Sequence, residues 1–229
     1  MKLLTEEELI GSAVVANNRM NRERNASGIN SYEKELSFQP EQYLRTHLGQ
    51  FGQVKWLDVC CGEGKALLQS ALFLADNDLQ HRATLQGIDL IDGFSPIPSG
   101  VTCLQWRVGS IVNWTPVEHY DLVTCVHGLH YVGDKLQVIR KACQALTENG
   151  IFLAHLDLEN IKVGNRSASR WLTKKLKEQG VAYNVRRKTI VCNGRKQIDF
   201  SLVYQGASDL AGPNYTGQEA INSYYITQG

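Results

Sequence analysis

The stretch Val54–Leu68, VKWLDVCCGEGKALL, constrains this chain more than any other. A run rich in Val, Trp and Leu ends in Asp58, turns through Gly62-x-Gly64 and opens into a helical pattern in which Leu67, Leu68, Ala71 and Leu72 share one face. Strand, glycine turn and helix open an α/β unit in which glycine lets the main chain approach a ligand and the start of the helix offers free N–H groups. Ligands of open α/β sheets lie beyond the carboxyl ends of the strands. Asp89 ends the next β-rich run, 25 residues beyond Gly64, and a carboxylate there can accept both hydroxyls of a ribose.

Two common phosphate sites fit the residues present poorly. A dinucleotide fingerprint requires a small residue three after Gly64, where Leu67 stands, and has no use for the acid at Asp58. A P-loop requires a glycine five before Gly64 and Ser or Thr at position 66, where Val59 and Ala66 stand.

The length of 229 residues suits one globular unit with an attached lid. With 24 Lys and Arg against 23 Asp and Glu, the net charge is +1 and gives no global field for nucleic acid or an anionic membrane. A 43% hydrophobic and 21% charged composition excludes disordered and fibrous classes. No apolar run approaches the roughly 20 residues of a membrane span, and the acidic triplet in MKLLTEEELIGS interrupts any signal-peptide core, so the expected location is the cytoplasm. Cys60, Cys61, Cys103, Cys125, Cys143 and Cys192 form no C-x-x-C pair, which argues against a zinc ribbon or a dithiol redox site.

Hydrophobic period divides the chain into three zones. Residues 1–50 read as a helical lid: Thr5 and Glu8 form a capping box, and Pro40 starts a helix running through Leu48. Residues 51–229 read as the main domain. Within it, strands are expected at Val54–Val59, Leu85–Leu90, Val101–Arg107, Tyr120–Val126 and Gly150–Leu156, alternating with helices. A helix is expected from Asp134 to Leu146, stopped by Gly150, while Ile91–Gly100 is too short for a crossover helix and predicts an irregular link. A further helix near Ser167–Gln179 precedes a hairpin of Val181–Cys192 and Lys196–Tyr204 turning at Asn193-Gly194. The tail from Gly212, with Tyr215, Tyr224 and Tyr225, is expected to pack.

Three segments together resemble the class I S-adenosylmethionine-dependent methyltransferases: LDVCCGEG at 57–64, GIDL at 87–90 and YDLVTCVHGLHYV at 120–132. The resemblance spans about residues 54–160, and the last zone is similar to the family's final helix and antiparallel strand pair. It implies a Rossmann-like α/β fold, a seven-stranded mostly parallel sheet with one antiparallel edge strand and helices on both faces. It also implies S-adenosyl-L-methionine as cofactor and S-adenosyl-L-homocysteine as product. Asp58, Gly62 and Gly64 would surround the methionine part, Asp89 the ribose, and Ser110 and Ile111 the adenine, with Cys60, Leu90 and Val126 completing the cofactor set. Two positions depart from the family. Cys60 replaces the first loop glycine and is expected to keep a negative φ, and Ser110 stands where an Asp commonly accepts the adenine amino group.

His127 and His130 are the catalytic candidates, because an imidazole suits a base at the point where an acceptor meets the methyl. For His130 packing competes with catalysis; for His127 the choice is between base and substrate contact. His155, Asp157 and Glu159 alternate along the expected fifth strand and would share a face, a polar substrate wall or, with partners from other elements, a metal site; no converging ligands are identifiable, so no metal is assigned. Asn17, Asn21 and Arg24 on one helical face, with Tyr32 nearby, would orient an acceptor under the lid. Arg24, Tyr32 and Asp157 are therefore the substrate-binding candidates. The expected acceptor is a small polar molecule methylated at oxygen or nitrogen, with no membrane partner. A local charge of +7 between Lys174 and Lys196 keeps open an RNA or protein substrate, although nucleic acid is the less favoured partner. A non-catalytic cofactor-binding module and an enzyme using the same fold for hydride transfer are the remaining alternatives.

Overall fold

The computed structural model describes residues 2–16, 23–164 and 166–228. The N-terminal part holds α1 (Glu6–Ile10), α2 (Ala13–Ala16), α3 (Tyr32–Leu36) and α4 (Pro40–Phe51). There follow β1 (Val54–Val59), α5 (Lys65–Asp76), β2 (Ala83–Asp89), β3 (Leu104–Val108), β4 (Tyr120–Cys125), α6 (Lys135–Gln144) and β5 (Leu146–His155). The remainder holds β6 (Ile161–Val163), β7 (Arg166–Ser167), α7 (Ser169–Glu178), β8 (Val181–Asn184), β9 (Thr189–Asn193), β10 (Leu202–Ser208) and β11 (Asn222–Thr227).

The main sheet is seven-stranded, ordered β3-β2-β1-β4-β5-β9-β8. Its first five strands are parallel, and β9 runs antiparallel to both β5 and β8. The antiparallel strand thus stands one position in from the edge, and β8 forms the rim. Central strand β1 is almost wholly buried, as expected where helices cover both faces of a parallel sheet. Its side chains alternate: Trp56 joins the core under α4 and α5, whereas Leu57 and Val59 join the core under α6 and α7.

Local chemistry explains the helix ends. Thr5 and Glu8 close the capping box on α1, and Pro40 occupies the first turn of α4. Asp134 Oδ1 caps α6 by accepting from the Gln137 N–H at 3.0 Å. In α5 the buried line is Leu67, Ala71 and Leu74; Leu72 is exposed, which narrows the predicted face. β2 and β3 are parallel neighbours and, as predicted, the link between them holds no helix.

Three expectations fail, each for a tertiary reason. Gly150 does not stop α6. The helix ends at Gln144, β5 begins at Leu146, and Gly150 lies inside that strand, where a Cβ would stand 2.7 Å from the Tyr120 carbonyl oxygen. The hairpin turns at 185–188 instead of Asn193-Gly194, because Asn184 Oδ1 accepts the N–H groups of Arg186 and Arg187 at 3.1 and 3.0 Å, a side-chain turn of the kind asparagine favours. Asn193 ends β9, and the Gly194 N–H donates to the Gly150 carbonyl. The segment expected as the second hairpin arm enters a separate four-stranded sheet, ordered β10-β11-β6-β7.

That small sheet holds the tail, which packs as expected. Lys135, fully buried, donates to the Val132 and Ile221 carbonyls at 2.8 Å and to Ser223 Oγ at 3.0 Å. The Tyr225 hydroxyl donates to Asp134 Oδ1 at 2.9 Å. The sheet also holds the N-terminus: Leu4 and Ala207 exchange main-chain hydrogen bonds of 2.8 and 3.1 Å. A Cβ on Gly206 would lie 2.8 Å from the Leu3 Cβ, so the strap can lie against β10 only where that residue is glycine.

Candidate active site

Beyond β1 the chain turns through three left-handed residues, Cys60 (φ 56°), Gly62 (φ 63°) and Gly64 (φ 72°). Cys60 does not keep a negative φ. The turn imposes on it the conformation a glycine would take, at a cost of about 1–2 kcal/mol. The Gly62 N–H donates to Asp89 Oδ2 at 2.8 Å and the Ile91 N–H to Asp89 Oδ1 at 3.2 Å. Asp89 therefore clamps the glycine turn to the end of β2.

These ends border a cleft. Of the cofactor candidates, Cys60, Gly62, Asp89, Leu90, Ser110, Ile111 and Val126 line it. Asp58 and Gly64 do not. Gly64 faces the Trp106 indole, where a Cβ would come within 2.3 Å of the ring. Asp58 has no exposed surface. Its Oδ2 accepts from the Tyr32 hydroxyl at 2.7 Å, and its Oδ1 from the Thr124 hydroxyl at 2.6 Å. Burial pushes its carboxyl up to about 7, against the lowering effect of both hydrogen bonds.

The N-terminal part supplies a wall of the cleft through residues that the sequence does not single out. Glu6, Leu9, Ile10 and Val15 line the cleft, and Ser110 Oγ donates to Glu6 Oε1 at 2.9 Å. Glu6 reads in sequence only as part of the acidic first turn beside a capping box, so nothing local marks it.

A second cluster adjoins the cleft between Val126 and Gly128, both of which line it. His127, at φ 60°, places Nε2 2.9 Å from Glu35 Oε2 and stacks on His155, ring centroids 4.1 Å apart and planes within 7°. Glu35 Oε1 accepts from Arg24 Nε at 3.2 Å. The Glu35 carboxyl is held down to about 2, chiefly by its hydrogen bond to His127. His155 is pushed down to about 3, first by burial and then by His127. His130 is buried with neither ring nitrogen partnered among the described residues, and burial holds it well below the usual range. Its ring lies 5.6 Å from that of His127.

The substrate candidates are redistributed. Arg24 lies in no helix and pairs with Glu35; Asn17 and Asn21 lie outside the described residues. Tyr32 is buried on Asp58. Asp157 does not share a strand face with His155, since β5 ends at His155 and Asp157 caps a short turn. Its Oδ1 accepts from the Glu159 N–H and from Lys188 Nζ, both at 3.2 Å.

Donor atoms of Glu35, His127 and His155 lie within 4.8 Å of one another, a spacing a divalent metal could use. The two rings are stacked face to face, however, so their in-plane lone pairs lie in separate parallel planes and cannot both point straight at one ion, and Arg24 already pairs with the carboxylate. The arrangement is a hydrogen-bonded Glu–His pair backed by a second ring. Glu35 carries no sequence signal; only the fold brings it to His127, 92 positions away.

A family model described as a methyltransferase domain matches residues 19–188. The chain belongs to this methyltransferase-domain family. A ubiquinone biosynthesis O-methyltransferase from Yersinia pestis is 30% identical over 140 residues, covering 57% of this chain and 50% of the relative. The chain thus spans about half the length of the curated relatives it matches. Solved structures with similar folds include a methyltransferase from Aquifex aeolicus (14% identity, TM-score 0.41, covering 69% of this chain and 89% of that one). An amino pentose methyltransferase from Micromonospora echinaspora is also similar (15% identity, TM-score 0.40, covering 59% and 53%).

Two outcomes follow from this geometry. A Cβ on Gly128 would stand 2.3 Å from Cys60 Cβ, so Gly128→Ala is expected to lower stability in urea unfolding by about 1–3 kcal/mol. Adding Cys60→Gly removes the opposing atom and should restore most of the loss; no recovery in the double variant would mean the two residues do not oppose one another. The second outcome concerns acid. Folded His155 stays neutral down to about 3, whereas an unfolded histidine takes a proton near 6.5. The unfolded chain therefore binds more protons between these values, and stability is lost as pH falls from about 6.5 to about 3. His155→Phe should flatten that loss, read as unfolding free energy against pH.

Proposed function

We propose that this chain is an S-adenosylmethionine-dependent methyltransferase acting at oxygen or nitrogen of a small polar molecule in the cytoplasm. The observation that carries the reading is the glycine turn clamped by Asp89 at the mouth of the cleft, with Ser110, Ile111 and Val126 on its walls. The residues fit such a ligand. Gly62 brings main chain to the cleft surface, Asp89 presents a carboxylate there, and Leu90 and Ile111 offer apolar area for a base. In this reading Asp89 holds the ribose, and Cys60, Gly62 and Val126 border the methionine part. When bound, the cofactor supplies an electrophilic methyl on a sulfonium.

The chain's own contribution is positioning and a proton acceptor. Because Glu35 is a carboxylate, His127 Nε2 is the protonated nitrogen in their hydrogen bond, which leaves the lone pair on Nδ1. His127 is thus the base for an acceptor that arrives protonated, with Glu35 fixing its tautomer and Arg24 fixing Glu35. His130 supports the ring from its buried position. Residues 1–50 act as a lid, as the cleft wall from Glu6, Leu9 and Ile10 suggests. A small acceptor is favoured over nucleic acid because the basic stretch is partly paired: Lys174 with Glu178, Lys188 with Asp157 and Arg195 with Glu148. Among the described residues no helix is long and apolar enough to cross a membrane, and all six cysteines are free thiols.

Titration with S-adenosylhomocysteine tests the cofactor. Asp89→Ala is expected to weaken binding by about 1–3 kcal/mol, and equal affinity would displace the ribose from Asp89. For His127→Ala, the rate of methyl transfer at saturating cofactor is expected to fall by about 10²- to 10⁴-fold. An unchanged rate would remove His127 as the base.

A further inference from the structure

We infer that Tyr215, carried on the tail loop between β10 and β11, forms the outer wall of the acceptor site and controls what reaches His127; this rests on the methyltransferase reading above, in which His127 is the base. The cofactor cleft meets the His127 turn at Val126 and Gly128. A bound cofactor fills that side, so the acceptor must approach the ring from another. His127, His130 and His155 keep only 4%, 1% and 2% of their surface exposed, whereas Tyr215 keeps 43%. The Tyr215 ring lies 6.4 Å from that of His127 and 5.5 Å, edge-on, from that of His130. Among the described residues it is thus the aromatic side chain that stands between this cluster and solvent. A base with so little surface receives an acceptor only when a covering group moves.

The loop is fixed while the side chain is not. Pro213 and Glu219 pair as a bridge, the Asn214 N–H donates to the Gln218 carbonyl at 2.7 Å, and Asn214 Oδ1 accepts from the Thr216 N–H at 2.8 Å. This closed turn is pinned to the histidine segment itself. The Ile221 N–H donates to the His130 carbonyl at 2.9 Å, and the Tyr131 hydroxyl to Gln218 Oε1 at 2.8 Å. By contrast, no hydrogen bond holds the Tyr215 hydroxyl among the described residues; burial, followed by the Glu35 and Asp157 carboxylates, keeps it protonated. Ring contacts alone hold this side chain, and a side chain turns about its own bonds far faster than a loop opens. The wall therefore yields by rotation of one residue. Once the acceptor is in place, the ring packs on it and keeps water from the base.

The test uses diethyl pyrocarbonate, which acylates unprotonated imidazole nitrogen, with rates read residue by residue by mass spectrometry and the exposed His81 as internal reference. The rate at a covered residue scales with the fraction of time its cover is displaced, so Tyr215→Ala should label His127 or His130 about tenfold faster than wild type, or more. Tyr215→Phe, which keeps the ring, should label as wild type does, and Tyr215→Trp, with a larger ring, more slowly. Buried His47, packed between Tyr43 and Phe51 in α4, reports general loosening. If it also accelerates in Tyr215→Ala, the Phe and Trp variants decide. Rates at His127 and His130 that do not follow ring size overturn the role of Tyr215. Calorimetry of wild type with S-adenosylhomocysteine keeps the two readings apart: binding with unchanged labelling in the variants overturns the Tyr215 wall alone, and no binding overturns the methyltransferase reading and this inference with it.

Discussion

A carboxylate without exposed surface must find its hydrogen bonds inside the fold, and Asp58 finds them in the hydroxyls of Tyr32 and Thr124. Thr124 in turn accepts from Trp56 Nε1 at 2.8 Å. One side chain at the end of β1 thereby ties the adjacent strand β4 and the helix α3, 26 positions earlier, to a single point. The consequence reaches the second cluster. Glu35 lies one helical turn after Tyr32, so fixing Tyr32 on Asp58 delivers Glu35 to His127. An exposed acid at position 58 could not do this, because water would compete for both hydroxyls.

The ends of β1 and β4 share a second constraint. Cys60 and His127 are both non-glycine residues held at positive φ, and the main chain of Gly128 packs against the Cys60 side chain. Each strained turn leaves room for the other. Strain of this kind persists where surrounding structure over-determines it, and here the surroundings are the Asp89 clamp on one side and the Glu35–His127–His155 contacts on the other.

Much of this was readable from local pattern, and what was not has a common cause. β1 matches its predicted bounds at both ends, Pro40 starts its helix, and the short proline-containing link joins parallel strands without a helix. Those features depend on neighbours in sequence. The hairpin turn was misplaced because Asn184 competes with Asn193-Gly194, and only the pairing of β9 with β5 decides between them. The conformation of Cys60 and the roles of Glu6 and Glu35 arise from contacts across dozens of residues. Asp58 and Gly64, expected around the methionine part, stand outside the cleft lining: one organises the interior and the other makes room for Trp106.

The strap that joins Leu4 to Ala207 gives the cleft a particular kind of door. Withdrawing this wall as a unit means breaking two main-chain hydrogen bonds to β10. Such an opening is a local unfolding event, governed by the free energy of a small sheet, and not the free rotation of a hinged flap.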